Sequence, residues 1–369
     1  MKWVRIIFFA FMIFFSFGIC LLAAQVYATG FHLSEHGTKT LNIFAFALPL
    51  IFIISMFLGL LDDDHYLRRL IYPINFFAGL ALYIFLSSVV LSIIILIASG
   101  IAITLPTSIS ITSFSAACIL GIVGAIQAKR TKTTTYAVSL PGAPESWNTK
   151  VAVLVSDTHF GLINHKKFSD KIVKNILKLK PDFVLHAGDF YDGPKNNMAP
   201  LIESWKKLTK EIPVFYTSGN HELYGNYEAF ISSILEAGIY VLLNEFIEHE
   251  GVQIAGITYH AKNQKLKAHD AMVALGVDKN KPLILINHPP TFHDSAINIE
   301  ANLMVSGHTH RGQFWPLNYI TEIMYKKFHY GLNKKQNLTA ITTSGVGTSG
   351  PPIRLFNTPE LVVIRFTNK

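Results

Sequence analysis

Charge is what this 369-residue chain has least of: Asp, Glu, Lys and Arg make up 15% of it, and between Leu70 and Ala128 there is none at all. A stretch of that length with no charged face is not a water-exposed surface element, which excludes a uniformly soluble architecture. Cysteine is nearly absent too. Cys20 and Cys118 both sit in apolar runs, so neither a disulfide framework nor a thiolate metal centre is available, and a reducing compartment is allowed. The net charge of +8 does not imply a nucleic-acid partner, because the basic residues are scattered or sit at the ends of hydrophobic runs. What is present lies beyond Ala128, where charge becomes ordinary and 12 of the 15 histidines are found. A membrane part precedes a soluble part.

A bilayer-spanning helix needs about 20 mostly apolar residues. Residues 6–24, 41–61, 74–98 and 106–128 qualify, the last two separated by a turn at Ser99, Gly100 and Pro106. The first has a rival reading as a cleaved signal peptide, with Met1–Arg5 as the basic region and Val26-Tyr27-Ala28 as the small-residue site, although its apolar run exceeds the usual ~7–15 residues. Lys2 and Arg5, then Arg68 and Arg69, then Lys129, Arg130 and Lys132 fall on one side of these spans, and Lys39 alone falls on the other. Basic flanks stay in the cytoplasm. The expectation is a multi-pass inner-membrane protein with its soluble part cytoplasmic. With no ionisable side chain inside any span, anchoring rather than transport is the expected task.

Residues 129–150 are polar, carry Pro141, Gly142 and Pro144, and read as a linker. From Val151 a pattern recurs in which a short apolar run ends in a polar cluster and an amphipathic helix follows. Strands are expected at 151–156, 183–187 and 214–217, with helices at about 166–179, 199–210 and 224–237. Further strands are expected at 254–257, 283–286, 303–305, 340–343 and 361–366. Such alternation gives an α/β layered domain, and open α/β sheets place ligands just beyond the carboxyl ends of their strands.

Those positions hold the chemistry. Asp157-Thr158-His159 follows the first strand, Gly188-Asp189-Phe190-Tyr191-Asp192 the second, and the third leads into Gly219-Asn220-His221-Glu222. His288 follows the run ending at Asn287, and Gly307-His308-Thr309-His310 follows Leu303–Val305. Singly, each cluster reads equally well as a strand-end turn, a helix cap or a loop residue. Together, carboxylate, imidazole and amide oxygen at five strand ends are a donor set for Mn, Fe or Zn.

This ordered set of Asp-x-His, Gly-Asp-x-x-Asp, Gly-Asn-His-Glu, lone His and Gly-His-x-His resembles the calcineurin-like metallophosphoesterase superfamily over about residues 151–369. The resemblance implies a four-layer αββα sandwich, here preceded by a bundle of about four transmembrane helices, and two divalent metal ions, Mn foremost with Fe or Zn as alternatives. It implies that Asp157, His159, Asp189 and His310 bind one ion and Asp189, Asn220, His288 and His308 the other, with Asp189 shared. His221 is not among the implied ligands and would protonate a leaving oxygen or stabilise the transferring phosphoryl group. Asp192 would orient its imidazole, as the family's corresponding Asp does. His186, alternating along its strand, reads as a core histidine.

Phosphoprotein phosphatases of the superfamily carry Arg-Gly after Gly-Asp-x-x-Asp, whereas this chain reads Asp192-Gly193-Pro194. The run Ser344–Arg354 is similar to bacterial membrane-associated members. Those members commonly continue Gly-His-Thr-His with Gly-Gly-Gln; here the residues are Arg311-Gly312-Gln313. Arg311 looks like the arginine that follows this motif in UDP-2,3-diacylglucosamine hydrolases and is the candidate substrate-binding residue. The resulting expectation is hydrolysis of a phosphoester or pyrophosphate in a phosphorylated or lipid-linked small molecule, with membrane lipid as the setting. A tethered broad-specificity phosphodiesterase and a non-catalytic scaffold are the alternatives. The segment Asn318–Leu338 reads as an amphipathic helix that touches lipid or roofs the site, or as a core-packing helix.

Overall fold

Long apolar helices come first in the chain and a two-sheet domain follows. The computed structural model describes residues 2–58, 65–193, 198–259 and 264–367, with side chains for 16–55, 69–193, 198–259 and 268–367. Contacts divide the chain into two units, Met1–Ile126 with Gly350–Leu355, and Gln127–Ser349 with Phe356–Lys369.

The first unit holds α1 (Lys2–Gly30), α2 (Glu35–Leu58), α3 (His65–Gly100) and α4 (Thr107–Ala128). Among the described residues, Glu35–Ser55, Arg69–Gly100 and Thr107–Ala128 are long and apolar enough to cross a membrane. The expected span 6–24 lies within α1, where the apolar stretch with described side chains is Ser16–Gly30. Residues 59–61 of the second expected span, and Pro194, lie outside the described residues. Helix α3 starts well before Ile74, because Arg68 and Arg69 end an apolar window but not a helix. Ile93, Leu96, Ile97 and Ile122 are exposed on these helices, an arrangement that water penalises and lipid tolerates. Inside the unit the Tyr27 hydroxyl meets Ser87 Oγ at 2.7 Å and Ser113 Oγ at 3.1 Å. Ile353 of the returning segment occupies space left by missing side chains: a Cβ on Gly79 or Gly124 would come within 2.8 or 2.6 Å of it.

The second unit runs β1 (Lys132–Ser139), β2 (Val151–Val155), α5 (Lys166–Leu179), β3 (Phe183–Ala187), α6 (Ala199–Leu208), β4 (Val214–Thr217) and α7 (Tyr227–Glu236). There follow β5 (Tyr240–Val241), β6 (Glu245–His249), β7 (Val252–Ile257), α8 (Gln264–Ala274), β8 (Leu283–Asn287), α9 (His293–Asn298) and β9 (Leu303–Ser306). The last elements are α10 (Asn318–Tyr325), β10 (Gly331–Lys335), β11 (Leu338–Thr342) and β12 (Glu360–Thr367). One sheet has the order β1-β12-β2-β3-β4-β5 and the other β10-β11-β9-β8-β7-β6.

Strand alternation builds the layers. Ala152 and Leu154 join Leu185, Phe215, Ile254, Ile284 and Val305 in a core between the sheets. Val153 and Val155 point the other way, onto Ile172, Ile176, Trp205 and Ile234 of α5, α6 and α7. Leu283, Leu285 and Met304 pack on Ala268, Met272 and Ala296 of α8 and α9. The result is a mixed α/β fold of two sheets with helices on both outer faces, as expected.

Two expectations need correction. Residues 129–150 are not a linker: β1 pairs in parallel with β12 from Lys132↔Glu360 to Ser139↔Thr367, and Trp147 in the following 3-10 turn is fully buried. Thr133-Thr134-Thr135-Tyr136 is polar but β-branched and aromatic, and so forms a strand readily. The segment Asn318–Leu338 is helical only to Tyr325; a 3-10 turn at Lys326–His329 follows, and β10 then pairs antiparallel with β11.

Candidate metal centre

Five strands deliver the site. Asp157 and His159 follow β2, Asp189 follows β3, and Asn220 and His221 follow β4, all from one sheet. His288 follows β8, and His308 and His310 follow β9, from the other. Sharp backbone turns at the strand ends aim these side chains at one point. Asp157, His159, Asp189, His308 and His310 all have positive φ, between 45° and 70°, a conformation that costs non-glycine residues energy and is concentrated at functional sites. Gly188 has φ 84°, and a Cβ there would lie 2.6 Å from His288 Nδ1.

The side chains form two groups that share Asp189. In the first, His159 Nε2 and His310 Nε2 are 2.9 Å apart, Asp157 Oδ1 is 3.4 Å from His310 Nε2, and Asp189 Oδ2 is 3.8 Å from His159 Nε2. In the second, Asn220 Oδ1 is 3.1 Å from His288 Nε2 and 2.8 Å from His308 Nδ1. Asp189 Oδ2 lies 3.2 Å from His288 Nε2. The structure thus brings together all seven residues singled out as ligands.

A cation fits this arrangement. His288 presents Nδ1 to the Ala187 carbonyl at 2.7 Å, so that nitrogen carries the proton and Nε2 turns its lone pair inward, towards the Asn220 and Asp189 oxygens. Imidazole nitrogens and oxygens converging without hydrogens between them repel unless a positive charge joins them, and the carbonyl behind His288 is the usual outer support of a metal-binding histidine. In the protein alone a proton serves instead: burial opposes the charge on His288, but Asp189 and Asp157 lift its pKa to about 9. His159 and His308, pulled down by burial to about 4 and about 3, remain neutral donors. Burial raises Asp157 to about 6.

His221 stands beside these groups, close enough to His159 and Asp189 to form a third cluster with them. Its Nδ1 is 2.9 Å from Asp192 Oδ1, its backbone N–H donates to Asp189 Oδ1 at 2.8 Å, and its ring meets that of His159 edge-on at 4.4 Å. Burial works against its charge, yet Asp189 and Asp192 raise its pKa to about 9. Arg311 is placed over the Tyr330 ring, with its guanidinium carbon 4.3 Å from the centroid. His186 is fully buried among Phe190, Trp205 and Tyr216.

Residues 151–312 match the calcineurin-like phosphoesterase family. By this match, the region is similar to the calcineurin-like metallophosphoesterase superfamily. Such phosphoesterases bind two divalent ions, and a cluster of His and Asp side chains that could hold metal is present here. A Helicobacter pylori protein named as an uncharacterized metallophosphoesterase is 30% identical over 59% of this chain and 60% of its own length. An Aquifex aeolicus metallophosphoesterase, also uncharacterized, is 26% identical over 69% of this chain and 98% of its own. A zebrafish (Danio rerio) transmembrane protein with metallophosphoesterase domain is 28% identical over 67% and 59% respectively. The chain therefore spans about 60% of the length of the first of these relatives.

Reading the metallophosphoesterase motifs alone misses the residues that hold them in place. Glu222 is fully buried and accepts from the backbone N–H groups of Asp189 (3.2 Å), Phe190 (2.6 Å), Tyr191 (3.1 Å) and Gly219 (2.6 Å). It ties the Asp189 loop to the Asn220 loop. Its signal is an acid at the end of Gly-Asn-His-Glu. Gln313 donates to the Ser349 carbonyl at 3.1 Å and accepts from the Ser349 N–H at 2.9 Å, while Asn357 donates to the His310 and Arg311 carbonyls. The amide of Gln313 lies three residues beyond the last ligand and is visible in the sequence. Asn357 carries no signal there.

Proposed function

We propose that this chain is a membrane-anchored phosphohydrolase that works with two divalent ions, Mn foremost, and cleaves a phosphoester or pyrophosphate in a lipid-linked substrate. UDP-2,3-diacylglucosamine is the specific candidate. The observation that carries hydrolysis is the convergence of two donor groups on Asp189 with the His221–Asp192 pair beside them. The apolar helices in the same chain support a lipid-borne substrate, and so does the absence of the phosphoprotein-phosphatase arginine after Asp192. The basic flanks support a catalytic part on the cytoplasmic side of the inner membrane.

When bound, a pair of divalent ions supplies Lewis acidity towards phosphoryl oxygens and a water of lowered pKa. The chain's own residues do the rest. Asp157, His159, Asp189 and His310 would hold one ion, and Asp189, Asn220, His288 and His308 the other. Asp192 takes Nδ1 of His221, which leaves Nε2 to face the substrate. In the protein without metal, Asp189 and Asp192 raise the pKa of His221 to about 9 against the effect of burial, and in its protonated form His221 can give that proton to the leaving oxygen. Arg311, poised on Tyr330, offers a planar donor group for a phosphate.

The test is to incubate the full chain with Mn and a panel of lipid pyrophosphates, lipid phosphodiesters and a soluble chromogenic diester, following phosphorus-containing products. Release of a nucleoside monophosphate and a lipid phosphate is expected. Turnover of the soluble diester alone would make this a tethered phosphodiesterase. Unaltered cellular function in Asn220→Ala and His221→Ala variants would sink the enzyme reading in favour of a scaffold.

A further inference from the structure

Helix α10 is built with its apolar side outward. None of its residues is buried, and Tyr319, Ile320, Ile323 and Met324 are exposed by 56%, 51%, 78% and 65%. Positions 319, 320, 323 and 324 share one helical face. Its other side turns to the metal centre, where the Tyr325 ring stands 6.1 Å from that of His308. Just before the helix, Trp315 packs edge-on against Phe356 at 5.9 Å, and both rings are exposed. Just after it come Lys326 and Lys327, also exposed. A helix facing water would carry its polar residues outward, so this face needs an apolar cover.

We propose that the outward face of α10, together with Trp315 and Phe356, docks on an anionic lipid surface at the headgroup–acyl boundary of the membrane in which this chain is anchored. Three features select lipid as the occupant. The tether is short: α4 ends at Ala128 and β1 begins at Lys132, a gap that extended chain bridges with at most about 14 Å. A second link points the same way, since Phe356 directly follows Gly350–Leu355, the segment that groups with the helices. The composition is that of an interfacial helix, with aromatic and aliphatic side chains bordered by Lys326 and Lys327, which complement acidic headgroups. A second copy of the chain fits less well, because those lysines would face their own counterparts across a two-fold axis. Seated in this way, α10 lets an amphiphile keep its acyl chains in the bilayer while its phosphate passes Tyr325 to the metals, a consequence that rests on the lipid-substrate reading above.

The test uses the full chain in nanodiscs containing phosphatidylglycerol, on a Cys20→Ser, Cys118→Ser background. An environment-sensitive fluorophore is attached at Ile323→Cys or, as a control on α6, at Lys207→Cys. Quenching by lipids spin-labelled near the headgroup is expected at 323 and not at 207; equal accessibility to water at both positions overturns the proposal. In parallel, the triple variant Ile320→Asp, Ile323→Asp, Met324→Asp is expected to lose turnover of a lipid pyrophosphate in vesicles and keep that of a soluble diester. Equal loss on both substrates would count against docking. Quenching at 323 with no lipid substrate turned over would uphold docking and remove the lipid-substrate reading instead.

Discussion

His221 and Glu222 are neighbours with different surroundings, one paired with Asp192 beside the metal centre and the other holding backbone N–H groups. Loss of a general acid costs about 10²–10⁴ in rate, so His221→Ala is expected to reduce kcat by that order on substrates with poor leaving groups. The loss should be much smaller on nitrophenyl esters, whose leaving group needs no proton. On the proposed role as general acid, the same residue would set the alkaline limit. A general acid works only while protonated, and the carboxylates of Asp189 and Asp192 hold His221 at about 9. Bound cations lower that value, so kcat should fall as pH rises through a point at or below about 9. Asp192→Asn should move this limb to lower pH, and a pH–rate profile of the two proteins checks the shift. For Glu222 the expected effect is on architecture. An amide in place of the carboxylate turns two of its acceptor sites into donors facing backbone N–H groups, at about 1–3 kcal/mol per unsatisfied buried group. Glu222→Gln should therefore lower the melting temperature and weaken metal binding, as read by calorimetric titration.

At the scale of elements, the strands of the central sheets were legible because they are apolar runs closed by polar clusters. The expected boundaries of β3 and β4 coincide with the observed ones, and the residues singled out as ligands stand where a strand's carboxyl end must expose them. Elements that lack this pattern were not legible. Strand β1 is written in threonines, β6 carries Glu245, Glu248 and His249, and β10 is Gly-Leu-Asn-Lys-Lys. Each of these is an edge strand with a face in water, so burial imposes no apolar period on it. The positive φ values at the ligands were hidden for a related reason: the neighbouring loops that enforce them are distant in sequence. Strand β1 nevertheless matters for stability. Thr134 Oγ1 donates to Glu360 Oε2 at 2.6 Å, and Lys132 Nζ lies 3.4 Å from that same buried carboxylate. A catalytic part that begins at residue 140 should therefore unfold at lower temperature than one that begins at residue 129. The expected loss is a few kcal/mol, of the order of about 1–3 for each partner taken from a buried charged group. Paired thermal denaturation curves measure it.

For the two-sheet unit as a whole, the candidate metal centre is also a seam. Asp157, His159, Asp189 and Asn220 come from one sheet, and His288, His308 and His310 from the other, so cations held there would tie the two sheets together. A ligand that binds only the folded state stabilises it by about 2.7 kcal/mol at a hundredfold excess over its dissociation constant, and two ions would contribute more. Chelation should accordingly lower the melting temperature of the full chain. The size of the drop should depend on pH, because protons on His288 and His221 partly replace the missing charge. Both residues are raised from 6.5 to about 9 in the metal-free protein. A group raised in this way gives its full stabilisation below its unfolded value and loses it as pH climbs through the folded one. The chelated protein should therefore lose stability between about pH 6.5 and 9. The metal-loaded protein should hold steady over that window, since cations that require deprotonated donors bind better as the protons leave. Melting curves across this range, with chelator and with Mn, test the argument: parallel curves would mean that the ions do not bridge the sheets.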